Sequence, residues 1–203
     1  MSFSIKGGHN DEPHNHIDVG SFIIYKNGKY YADDPGWGEY YKDYFGPRRY
    51  GNVVGGAEGH SLPTVGGLTQ RLTDATQKAQ AVEVTENKIT LDIGIAYADG
   101  LSLLRTLERK DGDIVLTDDC RSGKPICQHI VTRIAPTLTE NGVKIDEMTV
   151  TSDRPADVTI TETSFIPRRI ISAGDAFTDT PLYLIDFKPK AETAVNSLHF
   201  TFE

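Results

Sequence analysis

Residues 7–38, GGHNDEPHNHIDVGSFIIYKNGKYYADDPGWG, decide the fold and locate the site. Ser21 to Asp33 is two β-forming runs joined at Asn27-Gly28, the dipeptide best suited to a type I′ turn, where both central residues need positive φ. Asp34-Pro35-Gly36 stops the second run. The segment before the hairpin packs His9, His14 and His16, with Asp18, into one short polar run, and the hairpin carries Asp33 back towards it. Half of the chain's six histidines lie here, and His60 follows one loop later. A cluster of this kind beside a rigid hairpin reads as a metal or general-base site.

Outward from the hairpin, strand signals dominate. Residues 2–5 form a short opening strand. Ala81 to Tyr97 turns at Glu86-Asn87, and Ile89, Leu91, Ile93, Ile95 and Tyr97 alternate with smaller or polar residues, the period of a half-buried strand. Leu101 to Cys120 turns at Asp111-Gly112, and Ile126 to Ile145 turns at Asn141-Gly142. Val158 to Ile166, Pro181 to Phe187 and the alternating Leu198, Phe200 and Phe202 complete the set. His60 to Gln70 reads as a short β-pair around Gly66-Gly67, and residues 69–80 as a loop or a turn of helix. Short strands with turn chemistry between them indicate an all-β antiparallel sandwich or barrel, here one domain over residues 1–203.

The 203 residues and 38% hydrophobic content support a packed core and argue against disorder. A net charge of -8 excludes nucleic acid as an expected partner, since phosphate binding needs a basic face. No apolar run reaches membrane-spanning length, and MSFSIKGGHN lacks a signal-peptide core, so no membrane partner is expected. Cys120 and Cys127 flank RSGKP. They could bridge a hairpin end, but two ordinary buried thiols is the preferred reading.

His14 and His16 are two apart, so on an extended segment both would point into one cleft. Asp33 is placed to supply an oxygen ligand, and His60, in GHSLPTVGG, could close the set. Two His and one Asp with open positions suit Zn²⁺, and Asp18 could accept the second N–H of a ligand histidine. The plainer alternative is a group of loop histidines satisfied by water and backbone. HNHxD, DDPG and GHS occurring together favour a site. His129 and His199 fall in regular strand patterns and read as structural. From Gly36 to Gly59 the chain is aperiodic and aromatic, and a loop of that length in a compact domain is usually functional. It supplies Trp37, Tyr40, Tyr41, Tyr44 and Tyr50, with Arg48 and Arg49. Aromatics stack on sugar rings, Arg pairs with carboxylate or sulfate, and a phenol can act as acid or base. Most of these residues are expected to pack the loop onto the sandwich.

HNHIDVGSFIIYKNGKYYADDPG followed by GHSLPTVGG resembles the core of the heparinase II/III-like polysaccharide lyases, over about the first third of the chain. The resemblance implies a C-terminal β-sandwich domain and roles for particular residues. His14 would be the catalytic histidine, and His16, Asp33 and His60 the zinc ligands. Tyr44 would be the active-site loop tyrosine, with Tyr41 its rival. Trp37, Arg48 and Arg49 become substrate-binding candidates. The implied reaction is β-elimination on a uronic-acid-containing polysaccharide, of glycosaminoglycan or alginate type. A base takes the C5 proton, an acid protonates the leaving oxygen, and the substrate carboxylate is neutralised.

The negative chain must then confine its cations to a metal and a few arginines, or leave them to another domain. Family members carry an N-terminal α-helical toroid that completes the site. No toroid is read in these residues, so the chain is expected to be either part of a longer lyase or a stand-alone β domain, with little activity alone. A periplasmic or secreted location is the family expectation. A cupin-like metalloenzyme would want a Glu shortly after HxH, which HNHIDVGS lacks. A non-catalytic carbohydrate-binding or structural β-sandwich that keeps the metal as a staple is the other alternative.

Overall fold

The computed structural model describes residues 1–42, 44–46, 48–168 and 179–203. Fifteen strands in three antiparallel sheets make up nearly all of the regular structure, with three single-turn 3-10 segments and no α-helix among the described residues. The first sheet is β1 (Ser2–Ile5), β2 (Phe22–Lys26) and β3 (Lys29–Ala32). Asn27 and Gly28 take φ of 50° and 85°, the type I′ geometry their sequence calls for.

The largest sheet has eight strands. Its hairpins are β5 (Gln80–Val84) with β6 (Lys88–Asp92), then β7 (Leu103–Lys110) with β8 (Asp113–Cys120). Asp111 and Gly112 turn the second of these with φ of 53° and 93°. The smaller sheet opposite uses β4 (Thr64–Val65) and β9 (Ile126–Thr132). The eight-stranded sheet continues through β10 (Thr137–Thr139), β11 (Gly142–Ile145) and β12 (Met148–Ser152). Then come β13 (Ala156–Phe165) and β14 (Thr180–Pro189) of the smaller sheet, and finally β15 (Val195–Phe202). The strand orders are β10-β11-β12-β15-β8-β7-β6-β5 and β13-β14-β9-β4. β15 therefore sits mid-sheet, hydrogen-bonded to β12 on one side and β8 on the other.

The layers meet over one large apolar cluster. Leu107, Leu116, Val143, Val150, Leu198 and Phe200 come from the eight-stranded sheet, while Phe22, Ile24 and Tyr31 join Ile130, Ile185 and Phe187 opposite them. This is the sandwich that the period-two pattern implies. A second apolar cluster around Ile93, Leu103 and Cys120 lies beyond a buried polar layer. In that layer Arg105 on β7 and Asp118 on β8 are register partners pointing inward, both fully buried. Arg105 Nε and Nη2 donate to the two Asp118 oxygens at 2.7 and 3.0 Å, and Gln128 donates to the same carboxylate. The remaining Arg105 donor, Nη1, reaches the carbonyls of Gly20 and Ser61 at 2.9 and 2.5 Å. The polar layer thus pins two loops that carry the site.

Two expectations change. The strand expected to run to Tyr97 ends at Asp92, because the Asp92 carboxylate accepts from Gly94 N, Leu103 N and Ser102 Oγ and turns the chain into a 3-10 segment, Gly94–Ala96. A methyl group at Gly94 would overlap the Leu101 carbonyl, so the turn also needs glycine. The expected pair around Gly66-Gly67 is reduced to a bridge between Val65 and Leu68, with β4 pairing to β9 instead. Cys120 and Cys127 are both free thiols, and burial pushes the Cys127 thiol up to about 11.

Candidate metal centre and its aromatic wall

The polar run before the hairpin folds as a series of turns rather than as an extended strand. Asn15 N donates to Glu12 O, and His14 takes φ of 59°, which breaks the alternation expected to aim His14 and His16 into one cleft. His16 instead turns inward and is buried, while His14 stays exposed. Ile17 N donates to Gly55 O, and Asn15 accepts from Tyr50 Oη and Arg49 Nη2, so the run is fastened to the aromatic loop.

His16 meets His60 at a ring-centroid distance of 5.3 Å. His60 is fully buried just after the 3-10 segment Ala57–Gly59, and a methyl group at Gly59 would overlap the Val53 carbonyl. Ligating atoms of His16, Asp18 and His60 all lie within 4.8 Å of one another. His60 Nδ1 pairs with Asp34 Oδ2 at 2.9 Å and Nε2 with Val54 O at 3.0 Å. Asp18 receives Lys6 Nζ at 2.5 Å.

The charges are strongly coupled. Burial, followed by the charge of His60, lowers His16 to about 4, so its imidazole is neutral at ordinary pH. Burial also dominates at Asp18 and raises it, against the opposing pull of His60 and Lys6. Burial acts the same way on Asp34, but there the hydrogen bond and charge of His60, with Gly36 N–H and His16, win and hold the carboxyl below its ordinary value.

Asp33 is not brought into this cluster. Its Oδ2 receives Arg133 Nε at 2.5 Å, its Oδ1 accepts Asp34 N, and its own N–H donates to Val131 O. Neighbouring side chains on extended backbone point to opposite sides, so only one of the Asp33-Asp34 pair can face the histidines, and that one is Asp34. Of the expected set, His16 and His60 are brought together with Asp18 rather than Asp33, and Asp34 sits on His60.

The aromatic loop gathers around His14. Its ring is edge-on to Phe45 at 4.7 Å and parallel to Tyr40 at 6.3 Å. Tyr44 contacts Tyr40, Tyr41 and Phe45 at centroid distances of 4.5, 5.4 and 5.1 Å. His14 and Tyr44 thus both face Tyr40 and Phe45, and Tyr41 packs on Tyr44. Tyr44 is buried, its Oη has no hydrogen-bond partner among the described residues, and burial raises its phenol. Tyr41 is exposed. Arg49 spends its guanidinium on the loop, donating to Asn15 O and lying over Phe45 and Tyr50. Arg48 is exposed, and its carbonyl closes the Arg49–Gly51 turn. Trp37 is 57% exposed. His9 lies apart, its Nδ1 accepting from Asp11 N. His129 is held by Asp186 and Glu58 O.

Residues at the site that the sequence does not single out include Phe45 against His14 and Lys6 on Asp18, besides Asp34 and Arg168. Asp34, in the sequence only part of the turn that ends the hairpin, pairs with His60. Arg168, from beyond β13, lies over Tyr40 and Trp37, and no local pattern links it to them.

No family model matches this sequence, and no curated protein matches it. Solved structures do. Heparinase III superposes with a TM-score of 0.63 at 19% identity, over 93% of this chain and 30% of that one. A second heparinase III gives 0.59 at 14% identity, over 98% and 32%. This chain shares the fold of the matched part of heparinase III. At such identities the likeness is one of fold, and the chain spans about 30% of the length of these heparinases.

Proposed function

We propose that this chain is the metal-holding β domain of a polysaccharide lyase that cleaves uronic-acid-containing polymers by β-elimination. The observation that carries the reading is the juxtaposition, in a heparinase III fold, of a buried two-histidine cluster and an exposed histidine on an aromatic wall. The donor set fits a Zn²⁺-type cation, with His16, Asp18 and His60 as ligands. His16 is kept neutral by its surroundings and its ring has no hydrogen bond among the described residues, while Asp34 can orient His60. His60 would give up one of its two hydrogen bonds, and Asp18 would exchange Lys6 for the cation. When bound, the ion would clamp the His14–His16 turns to the His60 loop, a structural contribution.

His14 has the exposure needed to move a proton to or from a sugar carbon or leaving oxygen. Of the two phenols, Tyr41 reaches solvent directly, whereas Tyr44 supports the wall from beneath. Turnover is assigned to an assembly of this domain with a helical partner. The chain alone is expected to hold about one Zn²⁺ and to bind uronate polymers while releasing almost no unsaturated product. Joined to the helical part, it should generate the absorbance of a new C4–C5 double bond, and His14→Ala should lower kcat by about 10²–10⁴-fold with metal retained. Neither binding nor product on heparan-, chondroitin- or alginate-type polymers would refute the reading. The exposed Trp37 and Tyr41 also suit a non-catalytic carbohydrate-binding module, which binding with full activity in His14→Ala would favour.

A further inference from the structure

A chain of net charge -8 needs a local cation to receive an acidic sugar, and Arg49, the arginine packed into the aromatic loop, is already committed to Asn15. The structure supplies another from a distant part of the sequence. Trp37 O accepts Arg168 N at 2.6 Å, Glu39 N donates to Ile166 O at 2.7 Å, and Gly38 bridges Pro167. This short ladder holds the start of the aromatic loop beside the end of β13. It places the Arg168 guanidinium 4.1 Å from the Tyr40 ring centroid and 5.6 Å from that of Trp37. Arg168 is exposed and forms no salt bridge among the described residues. A guanidinium that lies over an aromatic ring can still pair two-point with carboxylate or sulfate through its N–H groups. The Tyr40 ring also faces that of His14, with centroids 6.3 Å apart.

We propose that Arg168 is the anion-recognising residue of this site, taking an acidic group of a sugar unit held against the Trp37–Tyr40 wall. The inference rests on the reading of the site as one for acidic polysaccharide. Arg168 binds and orients, and proton transfer belongs to others.

The test measures affinity of the 203-residue chain and its R168A and R168K variants for three oligosaccharides. One carries carboxylates only (alginate-type), one is sulfated with its carboxyls reduced, and one is neutral. R168A is expected to weaken the carboxylate oligomer by about 10-fold or more, the size of a lost charge-assisted hydrogen bond, and to leave neutral binding unchanged. R168K should restore part of the loss, since it keeps the charge but not the planar fork. A loss confined to the carboxylate oligomer assigns the uronate carboxyl as the group received, and a loss on the sulfated one assigns sulfate. Wild-type binding of an acidic oligomer that R168A matches would overturn the role of Arg168 and leave the site reading intact. An equal loss on the neutral oligomer would overturn it too, as mere support of the wall. Absence of wild-type binding to any acidic oligomer would instead sink the site reading, and Arg168 with it.

Discussion

Replacing Arg105 with alanine should be among the most destabilising single changes in this domain, and the structure sets the scale. The guanidinium makes four hydrogen bonds in complete burial, two to Asp118 and one each to Gly20 O and Ser61 O. Its removal leaves Asp118 with Gln128 alone, and leaves the two carbonyls without that donor. Breaking a buried ion pair from one side costs about 3–5 kcal/mol, a large part of the roughly 5–15 kcal/mol that holds a domain folded. At about 2–4 °C per kcal/mol for a chain of this size, the melting temperature should fall by about 6–20 °C. Urea titration followed by circular dichroism would measure the loss. The double variant Arg105→Met/Asp118→Leu should recover part of it, because no buried charge is then left unpaired. Gly20 and Ser61 adjoin the segments bearing Asp18 and His60, so metal retention should weaken in Arg105→Ala even where it stays folded. A loss below about 1 kcal/mol, the range of an exposed pair, would refute the reasoning, as would a double variant no more stable than the single one.

Zinc stoichiometry should drop sharply in His16→Ala and hold in Asp33→Asn, since Asp33 faces Arg133, and the reverse pattern in metal analysis would restore Asp33 as a ligand. The pH dependence has a definite sign. His16 titrates near 4 when folded against an ordinary 6.5, so below 6.5 the unfolded chain takes up a proton that the folded one refuses. In chelator-treated protein this contribution is complete above about pH 6.5 and is lost as the pH falls towards about 4, with a limiting slope of about 1.4 kcal/mol per unit. His16→Asn should flatten that slope, and unchanged urea midpoints across the range would contradict it. Gly59→Ala should cost about 2–4 kcal/mol by forcing the Val53 carbonyl away and displacing His60, read as a lower melting temperature.

The hairpins were legible because Asn27-Gly28 and Asp111-Gly112 carry their own turn geometry, and the sandwich because short β-forming runs recur between such turns and Leu198, Phe200 and Phe202 alternate along β15, although Arg105 and Asp118 interrupt the apolar pattern of β7 and β8. What stayed hidden depended on side chains meeting backbone. Asp92 capping the next turn ends a strand whose apolar pattern continues, and the left-handed φ of His14 separates it from His16 without any change in spacing. Spacing alone could not choose between Asp33 and Asp34, because the choice is made by which side of the chain Arg133 and His60 approach. Arg168 reaches Tyr40 only through pairing of segments far apart in the chain, and nothing local to either announces it.

The position of β15 has a kinetic consequence. The hairpins of β5 to β8, and those of β10 to β12, are made of near neighbours in sequence and can form early. Their two groups become one sheet only when β15, the fifteenth strand, slides between β12 and β8. With synthesis at about 5–20 residues per second, β8 and β12 each present an unpaired edge for seconds before that strand exists. Refolding should accordingly be slow and prone to edge-to-edge association, with closure of the large sheet as its last event.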